Sequence, residues 1–377
     1  MTADTYLPRI GGAEIHVANL RQKLIERGHQ VKLLTTEPGN NEQEIIRIPW
    51  KRNYFELLSR FWRLSSDVDL IHSHYCYRLA FFVGIIAKLR RKPFIITLHG
   101  YGILNHPGTP WYFQLVHSLY RFWSLHFATL IISTSRDLAR HAEKYISSKK
   151  IVLISNGVDF SKFSQIQDTA RLRKKYKDAK IILTVRRLTP KCGIQYLVEA
   201  MPHILRQEPS AYYIMIGDGV LREEIKKRIQ ILGIKDKVEM LGTVPNENVL
   251  EYLAFADVVV FPSTAESTSI ACIEAMAMGK PIVASRVGGL IELLGENERG
   301  LLVKMFDWET CNYEAPLISE IPNERYEALA QGIITILKDR DLANKLGSRA
   351  KEYAKHFDWE QITIATENVY YQAGERR

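Results

Sequence analysis

Apolar positions along this chain follow two rhythms that alternate. Ala13, Val17, Leu20 and Leu24 fall at the three-and-four spacing of one helix face, with Gly28 placed to end the helix. QVKLLTT then reads as a strand. DLIHSH, FIITLHG, TLIISTS and KIVLISNG are further β-rich runs, each ending on polar residues. The second half repeats the pattern with KIILTVRR, AYYIMIGDG, KVEMLGT, DVVVFPS and PIVASRVGG, separated by amphipathic segments. Strands alternating with helices in this way predict parallel sheets covered on both faces. Two such series predict two α/β domains in tandem, at 1–160 and 161–353, with the seam in the irregular stretch 156–169. A second irregular stretch, 304–325, is polar and holds two prolines, so it reads as an inserted loop. TYLPRIGG reads as a strand-to-helix turn with almost nothing ahead of it, so the first strand is expected to be short or missing.

Composition narrows the class. The 377 residues are 46% hydrophobic and 25% charged, as in globular proteins, which excludes collagen-like, largely disordered and small disulfide-scaffold chains. The longest uncharged apolar stretch, Leu79 to Ala87, is nine residues, too short to span a bilayer as a helix. The first ten residues lack the apolar core of a signal peptide, so a cytoplasmic location is expected. Four cysteines, at 76, 192, 272 and 311, lack the close spacing of a zinc or redox site and read as reduced thiols. Charge is unevenly placed. Residues 1–165 hold 22 basic and 12 acidic residues, a balance of +10, while the rest of the chain sums to −1. Such asymmetry points to a polyanion or an anionic surface as partner of the first half.

Ligands of open parallel sheets sit beyond the carboxyl ends of the strands, so residues at those ends carry the candidate chemistry. Gly11 and Gly12 stand before the first helix, where backbone can approach a phosphate. His99 ends FIITLHG, where it can contact a polar ligand or pass a proton. His72 and His74 share one strand face, but with no third ligand in view a metal site is not expected there. Asp67 and Asp69 lie at the leading end of a strand, the wrong end for a ligand, and read as a solvated loop. Arg186, Arg187 and Lys191 follow a strand, with Gly193 opening the next helix, and suit a pyrophosphate. Glu266 and, eight residues on, Glu274 carry the sharpest signal. Glu274 lies in an apolar run from Ala271 to Met278, where a carboxylate needs partners that the vicinal hydroxyls of a sugar or ribose could supply. Ser267, Thr268 and Ser269 would offer backbone N–H groups at a helix start.

Together, LPRIGGAE, the LHG strand end, ISNGVD, RRLTPKCG, IGDG and the segment from Glu266 through GKPIVASRVGG resemble glycosyltransferase family 4. The resemblance runs over nearly the whole chain. It implies an α/β fold of the GT-B architecture, with two Rossmann-like domains whose parallel sheets face across a cleft. It implies a final helix, 354–377, crossing back to the first domain. It implies a retaining hexosyltransferase that uses a nucleotide-sugar donor, UDP-linked by preference, with no cofactor and no metal. Among the residues, the resemblance gives Glu274 the ribose hydroxyls and Glu266 the transferred sugar, with His99 near the reacting centre. Arg187 and Lys191 would neutralise the leaving diphosphate, and Gly11, Gly12 and the amides of Ser269 and Ile270 would approach the phosphates. The sequence departs from the family pattern at Cys192, where members often carry the phosphate-binding lysine, so that Lys191 would substitute. It departs again at Ser267-Thr268-Ser269, where many members have a glycine-rich turn. A nucleotide-sugar epimerase or phosphorylase on the same architecture, and a non-catalytic scaffold protein, are alternatives that fold alone does not separate.

In this architecture the first domain holds the acceptor. Residues 49–127 contain 18 of the 38 aromatic residues, with 10 basic and 3 acidic residues. Segments that mix Trp and Phe with cations suit an anionic membrane surface. The expected acceptor is therefore a lipid-linked or cell-surface glycan precursor, and the protein is expected to lie peripherally on the inner membrane face. No nucleic-acid recognition motif is present, so nucleic acid is not an expected partner.

Overall fold

The computed structural model describes all residues except 10, 41, 43, 49–53, 101–109, 166, 308–322 and 377. Contacts divide the chain into two compact units, Met1–Gly157 together with Trp359–Arg377, and Val158–Asp358. The sequence pattern placed these boundaries at 160 and 353. They fall where the chain enters and leaves the second unit side by side: the Val158 N–H donates to the Phe357 carbonyl at 2.8 Å.

The first unit runs β1 (Thr2–Ala3), α1 (Gly12–Glu26), β2 (Leu33–Thr35), β3 (Ile45–Arg47), α2 (Tyr54–Leu64), β4 (Ile71–His74) and α3 (Arg78–Leu89). It continues with β5 (Phe94–Leu98), α4 (Trp111–Phe127), β6 (Leu130–Ser133), α5 (Arg136–Glu143) and β7 (Ile151–Leu153). Its seven strands pair in the order β3-β2-β1-β4-β5-β6-β7, all parallel. The first strand is therefore present, though two residues long. Thr2 aligns with Leu34 on one side and Ser73 on the other, so β1 sits inside the sheet where its neighbours hold it on both edges.

The second unit runs α6 (Phe160–Phe163), α7 (Ala170–Tyr176), β8 (Lys180–Val185), α8 (Ile194–Gln207), β9 (Ala211–Ile216), α9 (Arg222–Ile231), β10 (Val238–Gly242) and α10 (Asn246–Phe255). It then adds β11 (Val258–Phe261), α11 (Ile270–Ala277), β12 (Ile282–Ser285), α12 (Gly289–Leu294), β13 (Leu301–Val303), α13 (Asn323–Lys338) and α14 (Arg340–Ala354). Its six strands are parallel in the order β10-β9-β8-β11-β12-β13. α13 begins at Asn323, inside the stretch read as a loop, and most of that stretch, 308–322, lies outside the described residues.

The last helix, α15 (Trp359–Glu375), belongs to the first unit. Trp359, Ile362, Val369 and Ala373 pack with Leu20 and Leu24 of α1 and with Ile95, Leu130 and Ile132 of the sheet. Arg27 pairs with Glu360 and Glu367 and anchors the helix from its polar side. Central strands in both units are buried on both faces, which is why they read as unbroken apolar runs.

Candidate active site

The carboxyl edge of the second sheet gathers most of the candidates. β8 ends into Arg186 and Arg187, and a 3-10 turn at Pro190–Cys192 leads to Gly193 and α8. Gly193 has φ +71, and a Cβ there would stand 1.7 Å from the Pro262 carbonyl oxygen. This contact forces glycine and presses the Lys191 turn against the end of β11. The Thr264 N–H donates to the Lys191 carbonyl at 2.9 Å and locks the two loops together. The loop after β11 carries Glu266 and reaches α11, where the Ser269 hydroxyl accepts from the Cys272 N–H as an N-cap. The first-turn N–H groups of Ile270 and Ala271 have no acceptor within the helix, and they stand at its positive end. Gly289 closes the far side. Its N–H donates to the Glu266 carbonyl, and a Cβ there would stand 1.5 Å from the Ser267 carbonyl oxygen.

Three cations follow β8, and they are not equivalent. Arg186 is turned inward and forms an ion pair with Glu266, the two side chains being 9% and 14% exposed. Burial alone would lower the pKa of this guanidinium. Glu266 and Cys192 outweigh that effect, and the net direction is upward. Arg187 is exposed, and its side chain has no hydrogen-bond or ion-pair partner among the described residues. Lys191 is half-buried beside the same edge. The sequence grouped Arg186 with the other two as a phosphate clamp, whereas the fold gives it to Glu266.

Glu274 differs from Glu266. It is half-buried on α11 and, among the described residues, its carboxylate has no hydrogen-bond or ion-pair partner. Burial pushes its pKa up to about 7, against a small opposing pull from Lys162 of α6. Lys162 was not apparent from sequence, because it lies more than a hundred residues away along the chain.

The first unit presents a cluster of imidazoles at the carboxyl ends of β4 and β5. His74 Nδ1 and His99 Nε2 are 2.8 Å apart in a hydrogen bond. His72 uses both ring nitrogens, Nδ1 with the Tyr370 hydroxyl and Nε2 with the Thr97 hydroxyl, each at 2.7 Å. His16 of α1 packs against His99, ring centroids 4.7 Å apart, and against Trp359 of α15. Burial lowers the pKa of all four, with neighbouring imidazoles adding to the shift for His72, His74 and His99, and His16 falls to about 4. His99 is therefore a neutral hydrogen-bonding group at neutral pH. Tyr75, just past β4, has φ +77, a strained position for a tyrosine, and its ring meets His99 edge-on.

The sequence offered no third ligand beside His72 and His74, and the fold regroups them: His72 is taken up by Tyr370 and Thr97, while His16 and His99 join His74. His16, His74 and His99 each place a ring nitrogen within 4.8 Å of the others, so these three could hold a metal ion. The sequence signal for His16 was its spacing four residues before Leu20, on the buried face of α1. Gly11 and Gly12 stand at the start of α1. Gly11 is extended at φ −166, a conformation open to any residue, and the Glu14 carboxylate fills the space beside it. Asp67 and Asp69 are exposed ahead of β4, at the edge away from the cluster.

Comparison with known proteins agrees with this layout. A family model described as Glycosyltransferase Family 4 matches residues 10–162, and one described as Glycosyl transferases group 1 matches residues 166–314. The chain is 25% identical to N-acetyl-alpha-D-glucosaminyl L-malate synthase of Bacillus anthracis, covering 97% of this chain and 95% of the relative. It is 24% identical to a phosphatidylinositol N-acetylglucosaminyltransferase protein of Arabidopsis thaliana, covering 99% and 81%. HepE of Anabaena, solved in complex with UDP-glucose, superposes with a TM-score of 0.79 over 98% of this chain and 99% of that chain, at 21% identity. Both parallel sheets, both halves of the chain and the transferase names of its relatives lead to one assignment: the chain belongs to glycosyltransferase family 4 and is a glycosyltransferase of the GT-B fold.

Proposed function

We propose that the protein is a retaining, metal-independent transferase that moves a sugar from a UDP-linked donor to a lipid-linked or cell-surface glycan acceptor at a membrane. The observation that carries the donor half is Glu274, a half-buried carboxylate with no hydrogen-bond or ion-pair partner among the described residues, one turn into α11. A ribose supplies what it lacks, two vicinal hydroxyls that donate to one carboxylate. The adjoining amides of Ser269 and Ile270 suit the phosphates. Arg187 and Lys191 supply the positive charge that a leaving diphosphate needs, in place of a divalent ion. Glu266, fixed by Arg186, faces the transferred sugar. In the first unit His99, held neutral, offers a hydrogen bond to a sugar hydroxyl, and Gly12 brings backbone to the start of α1, where the Glu14 carboxylate beside Gly11 would have to move to admit a phosphate. The UDP preference rests on solved relatives of this fold that bind UDP and UDP-glucose.

The acceptor half rests on α4. Trp111 (76% exposed), Tyr112, Phe113, Leu115, Leu119, Phe122 and Trp123 are all solvent-facing on this one helix. Such a surface is costly in water and suits the boundary of a bilayer. Among the described residues, no helix is long and apolar enough to cross a membrane. The relatives named above differ in acceptor, a small acid in one name and phosphatidylinositol in the other, and the exposed α4 face favours the lipid class here. Thermal-shift measurements with UDP, GDP and ADP test the donor site. UDP is expected to raise the melting temperature of the wild type and not of Glu274→Ala. Stabilisation by no nucleotide, or equal stabilisation of the variant, would overturn the proposal. Activity unchanged in excess EDTA is expected for metal independence.

A further inference from the structure

At the opposite edge of the first sheet, where the strands begin, lies a cavity of about 870 Å³. Pro93 and Thr129, just ahead of β5 and β6, line its floor, and Phe127 of α4 closes one side. Six cations line it, Lys88, Arg90, Arg91, Lys92, Lys150 and Arg376, with no carboxylate among the lining residues. His99 lies at the other end of β5, roughly 17 Å away for a five-residue strand. The cavity is therefore separate from the imidazole cluster.

Part of this charge has a structural use. α3 and α4 end here, and cations offset the negative ends of helices. Lys150 donates to the Ala128 carbonyl at 2.9 Å, and Arg376 donates to the Lys149 carbonyl at 3.4 Å. Arg90 stacks on Trp62, 3.8 Å from the ring centroid. The side chains of Lys88, Arg91 and Lys92 have no hydrogen-bond or ion-pair partner among the described residues. The cations also crowd one another: burial lowers the pKa of Lys150, and Lys88 adds to the effect.

Arg91 is the most telling of the six. α3 closes with the Lys92 N–H on the Ala87 carbonyl and the Arg91 N–H on the Lys88 carbonyl, which puts Arg91 at the left-handed position, φ +52. Glycine is favoured there, and an arginine is strained. A long cation stands where the backbone favours glycine, and it lines a basic cavity in which Lys88 and Lys92 also have no hydrogen-bond or ion-pair partner among the described residues. We propose that this cavity is a binding site for a phosphate-bearing anion, filled in the membrane-bound protein by the headgroup phosphate of an anionic phospholipid. The surroundings fit that source. Phe122 and Trp123 precede Phe127 on the exposed face of α4, and Leu89, 67% exposed, neighbours Arg90. An apolar face would enter the bilayer boundary while the cavity grips a phosphate beside it. The lipid source rests on the membrane reading of α4, whereas the anion site does not.

The test compares sedimentation with phosphatidylcholine vesicles, with and without phosphatidylglycerol, for wild type, Arg91→Gly/Lys92→Gln, and Arg140→Gln/Lys144→Gln. The last pair removes the same charge from the exposed side of α5. Binding of the cavity variant to anionic vesicles is expected to fall by more than about tenfold, at roughly fivefold per cation, while the α5 variant loses less than about threefold. Arg91→Gly alone is expected to melt no lower than wild type, since it relieves strain, so that lost binding is not lost folding. Equal losses in the two double variants would mean diffuse charge and overturn the site. Phosphorus NMR titration with glycerol phosphate separates the sources. Glycerol phosphate bound through Arg91 and Lys92 with no vesicle binding by the wild type would overturn the lipid source and the membrane reading together. Wild type that binds neither would overturn the site itself. Trp111→Ser/Phe113→Ser addresses the membrane reading alone: it is expected to lose vesicles and keep glycerol phosphate, and unchanged vesicle binding would contradict the role of α4.

Discussion

Both units bury titratable groups at the carboxyl edges of their sheets, and they handle them in opposite ways. In the first unit four imidazoles give up their charge. Burial lowers their pKa values; His72 bonds to Tyr370 and Thr97, and His74 bonds to His99 through Nδ1 while its Nε2 has no hydrogen-bond partner among the described residues. In the second unit charge is retained. Arg186 and Glu266 are paired and Arg187 has no partner side chain among the described residues, while half-buried Glu274 is, like the imidazoles, pushed toward its neutral form, with its pKa raised to about 7. The imidazoles of the first edge are neutral, whereas the second edge keeps fixed cations beside a carboxylate that has no partner among the described residues. Such an edge is where a charged, hydroxyl-bearing ligand gains most, which supports the second unit as the proposed anchor for a nucleotide.

The largest effect should come from breaking the retained charge. Arg186→Ala leaves Glu266 buried without its ion-pair partner, and the second unit is expected to lose about 3–5 kcal/mol in urea unfolding. Arg186→Ala/Glu266→Ala should recover part of that loss, because no charge is then stranded. Additive losses would contradict the pairing.

Next comes acid, which should act on the two units with opposite sign. Between His16's folded value of about 4 and the ordinary 6.5, the unfolded chain holds the extra proton, so stability of the first unit rises with pH and falls on acidification. The slope is about 1.4 kcal/mol per pH unit for each such histidine. For Glu274 the folded state holds the extra proton between 4.5 and about 7, so stability of the second unit falls as pH rises through that window, by about 1.4 kcal/mol per unit. Hydrogen exchange followed peptide by peptide at pH 7 and pH 5 should show protection lost in the first unit and gained around α11. A common direction in both units would contradict the comparison. The smallest effect is expected from Tyr370→Phe, which strips one hydrogen bond from His72 and should cost about 1 kcal/mol. No measurable loss would mean that the cluster does not depend on its bond to α15.

Much of this layout was legible in the sequence, since buried parallel strands read as apolar runs and the strand-end residues could be named from them. β1 was not, because two residues are too few to show a period, and only its pairing with β2 and β4 makes it a strand. Glu266, Glu274, Arg187, Lys191 and Ser269 were placed on one edge by reading where β8 and β11 end. What remained hidden needed contacts between distant segments. Arg186 could be seen as a cation but not as the partner of Glu266, 80 residues on. Tyr370 meets His72 only because α15 returns to the first unit, 298 residues away in sequence. The basic run from Lys88 to Lys92 was visible as charge, but its convergence with Lys150 and Arg376 in one cavity required three chain segments to meet.

The central claim is that Glu274 awaits the ribose of a nucleotide. Calorimetric titration of UDP at pH 6, repeated in buffers of different ionisation enthalpy, counts the protons exchanged on binding. With its pKa near 7 the free carboxyl is mostly protonated at that pH, and ribose hydroxyls that donate to the ionised form should drive the proton off. The account predicts that the wild type releases close to one proton more per UDP bound than Glu274→Gln does, about 0.9 from the free pKa alone, the UDP phosphate contributing equally to both. UDP binding with no proton release in the wild type, or with the same release in the variant, would contradict it.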